Sequence, residues 1–439
     1  MFRSLMSSWP LFFGLLLIMI GNGILLFLLG VRASSAGFTT TISGLMMGGY
    51  FVGFFGGSHL VPKILQDVGH IRTFGALSAI ASAAVLVHII AVDPVLWTGM
   101  RLFTGFAYAG MYIVVESWLN DKSTNETRGQ MLAVYMIITM AGLSVGQLFG
   151  GLDDGITNTL FLTVSILVSV AVGAIFGTPA KTPGVFGAEN LPPPPLFQIS
   201  PLAFVGMGLQ GFAASMIFGM GALFANIIGM TNQQGSIFLA SFTIANVVMQ
   251  YPIGRMSDRF DRRLVILIVA SISGLAAAIA SIVGLSNYWT LLGLTAIFGG
   301  FSMTIYSLCI AHANDYLSPS QMVGTASALI TVNGIGAIFG PPIIAALVDL
   351  FGSYMFFATL SVVHIGLGLF VLARMYMREA VPAEAQGPFI AVPDQGTAVA
   401  ASLNPETAWS ELDPELIATE DPLTDNPYLD MPSLQKPSK

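Results

Sequence analysis

The sequence predicts an all-α integral membrane protein whose twelve transmembrane helices form two parallel six-helix repeats. Three observations carry this. Apolar residues make up 54% of the 439-residue chain and charged residues only 9%, too little charge to cover a soluble domain of this size. Apolar runs recur at the length that crosses a ~30 Å hydrocarbon core, roughly 20 residues of helix. Features of the first half also reappear about 190 positions later in the second.

The first six runs lie at 9–31, 41–62, 73–92, 95–118, 129–151 and 157–177, the second six at 199–228, 234–254, 264–285, 288–312, 323–347 and 354–376. Each is continuously apolar rather than alternating, which excludes membrane strands. Ser8–Val31 reads as a retained first span, because Arg3 is followed by a long apolar run without a small-residue cleavage site.

The formal net charge of −7 is unevenly distributed: eleven of the 23 acidic residues follow Arg378, leaving 14 basic and 12 acidic residues before that point. Lysine and arginine placement orients the spans. With the N-terminus inside, the cytoplasmic side receives Arg3, Lys63, Arg72, Lys122, Arg128, Lys181, Arg255, Arg259, Arg262, Arg263, Arg374 and Arg378. The outer loops then hold Asp93, Asp153, Asp154 and Asp349, and only Arg32 and Arg101 fall outside the pattern. The expected location is the cell inner membrane, with both termini cytoplasmic.

Residues 1–177 and 199–378 are the two halves. Residues 178–198, with the Pro192–Pro195 run, read as a stiff cytoplasmic link. Residues 379–439 are rich in Pro, Ala, Asp and Glu and read as a disordered acidic tail. The single cysteine, Cys309, excludes an internal disulfide or a multi-cysteine zinc site and reads as a packing residue.

The repeat is visible in three blocks. Asp67 and Arg72 align with Asp258 and Arg263; Tyr112 and Asn120-Asp121 align with Tyr306 and Asn314-Asp315; Gly146 and Gly150 align with Gly336 and Gly340. Helix order and sidedness are kept, so the repeats are parallel about an axis along the membrane normal, an arrangement that places a site between halves at mid-membrane.

Gly254-Arg-Met-Ser-Asp258-Arg259-Phe-Asp-Arg262-Arg263 resembles the loop signature of the major facilitator superfamily, and Arg101-Leu-Phe-Thr-Gly105 resembles its Arg-xxx-Gly motif. The glycine-rich fifth span is similar to the antiporter-type motif, with Gln147 in place of the usual proline. In the first-half loop Lys63 stands at the leading glycine and Val68 at the arginine, so that loop departs from the pattern. Val-Gly-His-Ile-Arg72, Glu116-Ser-Trp-Leu-Asn120, Asn125-Glu-Thr-Arg128-Gly129 and Tyr251-Pro-Ile-Gly254 resemble the bacterial YcaD-type transporters, a subgroup with members linked to copper uptake. The resemblance covers residues 1–378 and implies alternating access.

An acid among the bases at Asp258, Arg259, Arg262 and Arg263 adds nothing to topology, so this loop is expected to latch neighbouring helices in the outward-open state. Gly142, Gly146 and Gly150 form a side-chain-free stripe expected to pack near the boundary between halves. On the fourth span Arg101, Gly105, Tyr108 and Tyr112 follow one helical stripe, with Glu116 about 60° off it. Arg101 and Glu116 lie roughly 22 Å apart along the axis and cannot pair. Intramembrane ionisable groups are costly and by default functional. Glu116 is therefore the expected proton-coupling carboxylate, Arg101 its electrostatic organiser, and Arg32 a partner for an outer-gate acid such as Asp153. For each a structural reading stands alongside: a helix-end partner or Arg128 for Glu116, snorkelling for Arg101, an interfacial anchor for Arg32.

Polar side chains expected at the cavity are Asn22, Tyr50, Tyr108, Tyr112, Gln147, Gln210, Asn246, Gln250, Tyr306 and Asn333. Met216 and Met220, at i and i+4, offer two thioethers that suit Cu(I). In copper-linked relatives a His-xxx-Met joins such a pair, whereas here Met249 is preceded by Ala245. His88, His312 and His364 are scattered without ligand spacing.

The leading expectation is a proton-coupled secondary transporter of a small neutral, amphiphilic or anionic solute. The alternatives are a permease for copper or another metal, or a non-transporting sensor on the same fold. No Gly-x-Ser-x-Gly, His-Glu-x-x-His or nucleotide-binding loop occurs, so neither an enzyme nor a cofactor is expected. The expected partners are a small-molecule or ion substrate and the lipid bilayer, with no nucleic acid, for a monomer.

Overall fold

The computed structural model describes residues 8–124, 127–153, 157–176, 196–317, 321–382, 385–394, 396–401 and 403. The Pro192–Pro195 run lies outside them. Among the described residues there is no strand. The first six helices are α1 (Trp9–Ser35), α2 (Thr40–Val68), α3 (His70–Ile90), α4 (Pro94–Asp121), α5 (Arg128–Gly150) and α6 (Thr159–Phe176). The second six are α7 (Pro201–Ile227), α8 (Asn232–Ser257), α9 (Arg262–Ile282), α10 (Tyr288–Asn314), α11 (Met322–Phe351) and α12 (Met355–Met377).

Eleven of these are long and apolar enough to cross a membrane. The other, α2, runs 29 residues, but six glycines and the polar end Lys63–Asp67 dilute its apolar character. Helix starts follow local chemistry. Proline opens α1, α4 and α7, where its missing N–H costs nothing. Thr39, Asp93, Ser200 and Asp261 accept a hydrogen bond from the first turn of their helices, and Thr231 with Gln234 forms a capping box. Gly69, at φ 86°, turns α2 into α3 in a single residue, and Gly352, at φ 104°, opens the three-residue turn from α11 into α12.

Several boundaries differ from expectation: α1 and α2 run four and six residues past their expected ends, to Ser35 and Val68. Helix α10 is broken at Met303–Thr304 into Tyr288–Ser302 and Ile305–Asn314. Helix α11 continues four residues past its expected end and runs through Pro341 and Pro342. Those prolines face the glycines of α2: the missing side chain of Gly48 lets Pro342 approach, and that of Gly44 admits Pro341 and Ala345.

The internal repeat is visible in the packing. In the first half α1 packs on α5 and α6, α2 on α4, and α3 on α4 and α6; in the second α7 packs on α11 and α12, α8 on α10, and α9 on α10 and α12. The partners match helix for helix after a shift of six. The Gly142, Gly146 and Gly150 stripe lies against Met19, Ile20 and Phe27 of α1. It is thus internal to the first half, not a liner of the boundary as expected. The reason is backbone approach: a methyl on Gly146 would collide with the Ile20 carbonyl. Gly336 and Gly340 form the matching seam against α7.

Between the halves α2 packs on α11, α5 on α8 and α1 on α7. The end where α1 begins and α12 finishes is called here the near face, the opposite end the far face.

The tail expectation needs correction for its first part. Residues 385–394 and 396–401 do not leave the bundle; they fold back from α12 into the near-face cleft, where Val392, Thr397 and Ala400 are buried. The cause is local: Phe389-Ile-Ala-Val392 is an apolar run inside an otherwise acidic, proline-rich stretch. Residues 404–439 lie outside the described residues.

Candidate functional site: a buried polar lane and its two gates

Helix α4 carries the polar lane. Its one-sided spacing turns Arg101, Tyr108, Tyr112 and Glu116 into the protein, and all four are buried. The Arg101 guanidinium lies 4.3 Å from the ring centre of Tyr50 on α2, an attraction that offsets part of its desolvation. Among the described residues its three nitrogens find no hydrogen-bond acceptor. The rings then step along the lane, with Tyr50 to Tyr108 at 6.4 Å and Tyr108 to Tyr112 at 6.2 Å. Asn22 of α1 donates its amide to the Tyr112 hydroxyl at 3.1 Å.

Glu116 ends the lane toward the near face. It accepts a hydrogen bond from the Tyr135 hydroxyl of α5 at 2.6 Å and from the Thr397 backbone N–H at 3.1 Å; the Thr397 hydroxyl donates to its other oxygen. Sequence reasoning missed both partners. Tyr135 had a readable signal, because it extends the inward stripe of Gly142 and Gly146 by two turns. Thr397 lies 281 residues away in the chain and had none.

An aromatic cavity of about 740 Å³, counted out to solvent, opens between α2, α7 and α11. Tyr50, Phe51, Phe54 and Phe55 form one wall, Phe218 and Asn333 lie opposite, and Asp394 and Gly396 of the tail border it. Of the side chains expected at the cavity, Tyr50 and Asn333 line it. The others are packed behind. Gln147 accepts from Thr243 across the α5–α8 boundary at 3.3 Å, Gln250 donates to Asn246 at 3.1 Å, and Gln210 donates to the Met303 sulfur at 3.8 Å. Tyr306, Met216 and Met220 are buried in the core. Among the described residues no three His, Cys, Asp or Glu side chains cluster as a metal site.

The far face is closed by polar contacts between halves or along their seam. Arg32 and Asp153 pair at 2.7 Å within the first half, and Asn232 of α8 donates to the Asp153 carbonyl at 2.9 Å. Ser34 donates to Asn226 at 2.6 Å, and the Thr41 hydroxyl and N–H both donate to Asp349. The expected Arg32–Asp153 pair is therefore present.

At the near face, among the described residues, Asp258 of the α8–α9 loop contacts the tail rather than a neighbouring helix. That carboxylate accepts the Phe389 N–H of the tail at 2.6 Å. Arg262 is buried and pairs with Asp315 at 2.5 Å, while donating to the carbonyls of Ala311 and Gly387. Arg263 pairs with Asp261 at 2.8 Å. Burial pushes the Asp261 carboxyl up, but hydrogen bonds from Arg263 and its positive charge outweigh this and hold it below the ordinary range. Arg259, Asp67 and Arg72 are exposed.

Two six-helix halves, a buried polar lane at their boundary and a closure at one face define a membrane transporter rather than an enzyme. A family model for the Major Facilitator Superfamily matches residues 11–203 and 202–416, and the chain belongs to that superfamily. Similar relatives are uncharacterised transporters of the same type. One from Yersinia pestis is 26% identical over 390 residues, covering 86% of this chain and 97% of its own. YcaD from Escherichia coli is 25% identical over 374 residues, covering 84% and 94%. Among solved structures, the nucleoside transporter NupG matches with a TM-score of 0.69 at 14% identity, covering 84% of this chain and 98% of its own. A bacterial homologue of the human lysosomal transporter Spinster, inward-facing and unoccupied, matches with a TM-score of 0.64, covering 94% and 99%. Both share the fold.

Proposed function

We propose that the protein is a proton-coupled secondary transporter that moves a small solute across the bacterial inner membrane by alternating access. The observation that carries this is the lane itself. Glu116 is a wholly buried carboxyl held by hydrogen-bond donors, and it faces the cleft between halves that must open and close. Protonating it removes a charge from a low-dielectric site, which changes the cost of closing the cleft over it. Arg101, a full lane-length away, supplies the fixed positive charge.

The positive-inside pattern supports a cytoplasmic near face. The contacts closing the far face then describe an inward-facing state. The aromatic cavity suits a solute with an apolar body, and Tyr50 and Asn333 in its lining suit a polar group on it. A soft metal has weaker support, since Met216 and Met220 sit in the core without a histidine four residues before Met249.

The experiment is a thermal-shift screen of purified protein against metabolites and metals, followed by flux of each hit in proteoliposomes with and without a pH gradient. Glu116→Gln is expected to remove the gradient stimulation while the protein remains membrane-inserted. Full stimulation in the variant would overturn the coupling role. Binding without flux would overturn transport in favour of a sensor.

A further inference from the structure

The part of the tail that folds back does more than cover the cleft. It makes a graded series of contacts that starts on the second half and ends on the first. Arg262 donates to the Gly387 carbonyl at 2.7 Å, while the Gly387 N–H donates to Asp315 at 3.1 Å. The Phe389 N–H binds Asp258, and the Phe389 ring lies over Gly254, where a methyl would approach it to 2.5 Å. Ser307 of α10 donates to the Val392 carbonyl and accepts its N–H, each at 3.1 Å. Asp394 and Gly396 then border the aromatic cavity, and Thr397 reaches Glu116 on α4. The single turn Ala398–Ala401 packs on both α4 and α11, one helix from each half.

Three features distinguish this from an incidental surface contact. The anchors are the loop acid and arginine of the gate signature, not peripheral side chains. Thr397 is 1% exposed, and it presents to Glu116 two donors, an N–H and a hydroxyl, as a bound polar solute would. The segment also ties the halves together at the face that would have to close in the opposite state, so alternation requires its release.

We propose that residues 385–394 and 396–401 are an autoinhibitory plug, an intramolecular ligand of the solute pathway that occupies Glu116 and holds the near-face cleft. This rests on the reading of Glu116 as part of that pathway. Withdrawal of the segment frees the carboxylate, the gate loop and the cavity mouth in one step. The acidic remainder beyond 403 is then the handle by which a basic partner or surface would draw the plug out.

The test uses a cysteine in place of Ser58, a residue lining the cavity, reacted with a bulky hydrophilic maleimide in purified, nanodisc-embedded full-length protein. The native Cys309 is buried and serves as the silent background. Truncation after Arg378 should speed labelling about tenfold or more, and Thr397→Val or Phe389→Ala in the full chain should speed it severalfold, because each shifts the plugged population. A synthetic peptide of residues 385–403 should restore protection to the truncated protein. Labelling at the full-length rate in both point variants overturns the plug, and it does so even if the truncated protein fails to fold. Failure of the coupling reading is recognised separately, by a Glu116→Gln protein that keeps its response to the pH gradient while the plug variants still label faster.

Discussion

Replacing Asp153 by Asn should loosen the far face by an amount the structure allows us to size. Asp153 is 1% exposed in its side chain and pairs at 2.7 Å with Arg32, which is 13% exposed. Its backbone carbonyl also holds Asn232 of the other half. Removing one partner of a wholly buried pair costs about 3–5 kcal/mol. Arg32 retains some water and an amide still accepts one hydrogen bond, so about 2 kcal/mol is lost; the pair lies within the first half and bears on the closure by fixing the Asp153 carbonyl that Asn232 reaches across the seam, so a shift toward far-face opening of at most roughly 30-fold is expected. Spin labels at Ala36→Cys and Gln233→Cys, both exposed at the far ends of α1 and α8, report the separation of the halves by pulsed electron resonance. The long-distance population should grow in Asp153→Asn and stay fixed in Asp93→Asn, whose carboxylate caps α4 within one half. An unchanged distribution in Asp153→Asn would refute the assignment of this pair to the closure.

Gly105→Ala would drive a methyl into the Tyr50 carbonyl, so a loss of about 1–3 kcal/mol is expected, read as a lower thermal midpoint; Gly99→Ala, with nothing within 4 Å, should leave the midpoint in place. Asp261 has a carboxyl held below its ordinary range, so its contribution to the α8–α9 loop is complete above the unfolded value of about 3.9 and is lost as pH falls through the folded one. Hydrogen exchange of residues 258–265 should accelerate below about pH 4 in the native protein. Asp261→Asn, which keeps the cap acceptor but not the charge, should lack that step.

The helices were legible because hydrocarbon thickness writes their length into the sequence, and the repeat because its motifs keep order and spacing. The Arg32–Asp153 pair was legible from charge alone: two opposite charges on one face, at the ends of two helices, α1 and α5, that pack on each other. The break in α10 was not, since Gly299-Gly300-Phe-Ser-Met303 contains no proline and reads as continuous helix. Nor was the passage of α11 through Pro341 and Pro342, which depends on glycines of α2 nearly 300 residues earlier. The tail misled because averaged composition hides a four-residue apolar run, and because the value of Thr397 lies wholly in Glu116, a partner no local pattern connects to it.

The glycine seams inside each half have a mechanical consequence. Where Gly146 meets the Ile20 carbonyl and Gly105 the Tyr50 carbonyl, backbone rests on backbone, and there is no flexible side chain to absorb a displacement. Each half therefore behaves as a beam of low compliance. A 27-residue helix such as α1 is about 40 Å long, so tilting a half by about 20° around its midpoint carries each tip through roughly 7 Å. That stroke is more than twice the length of any hydrogen bond at the far face. The closure consequently fails at a threshold, all of its links parting together, and a small torque applied near the pivot is amplified at both rims.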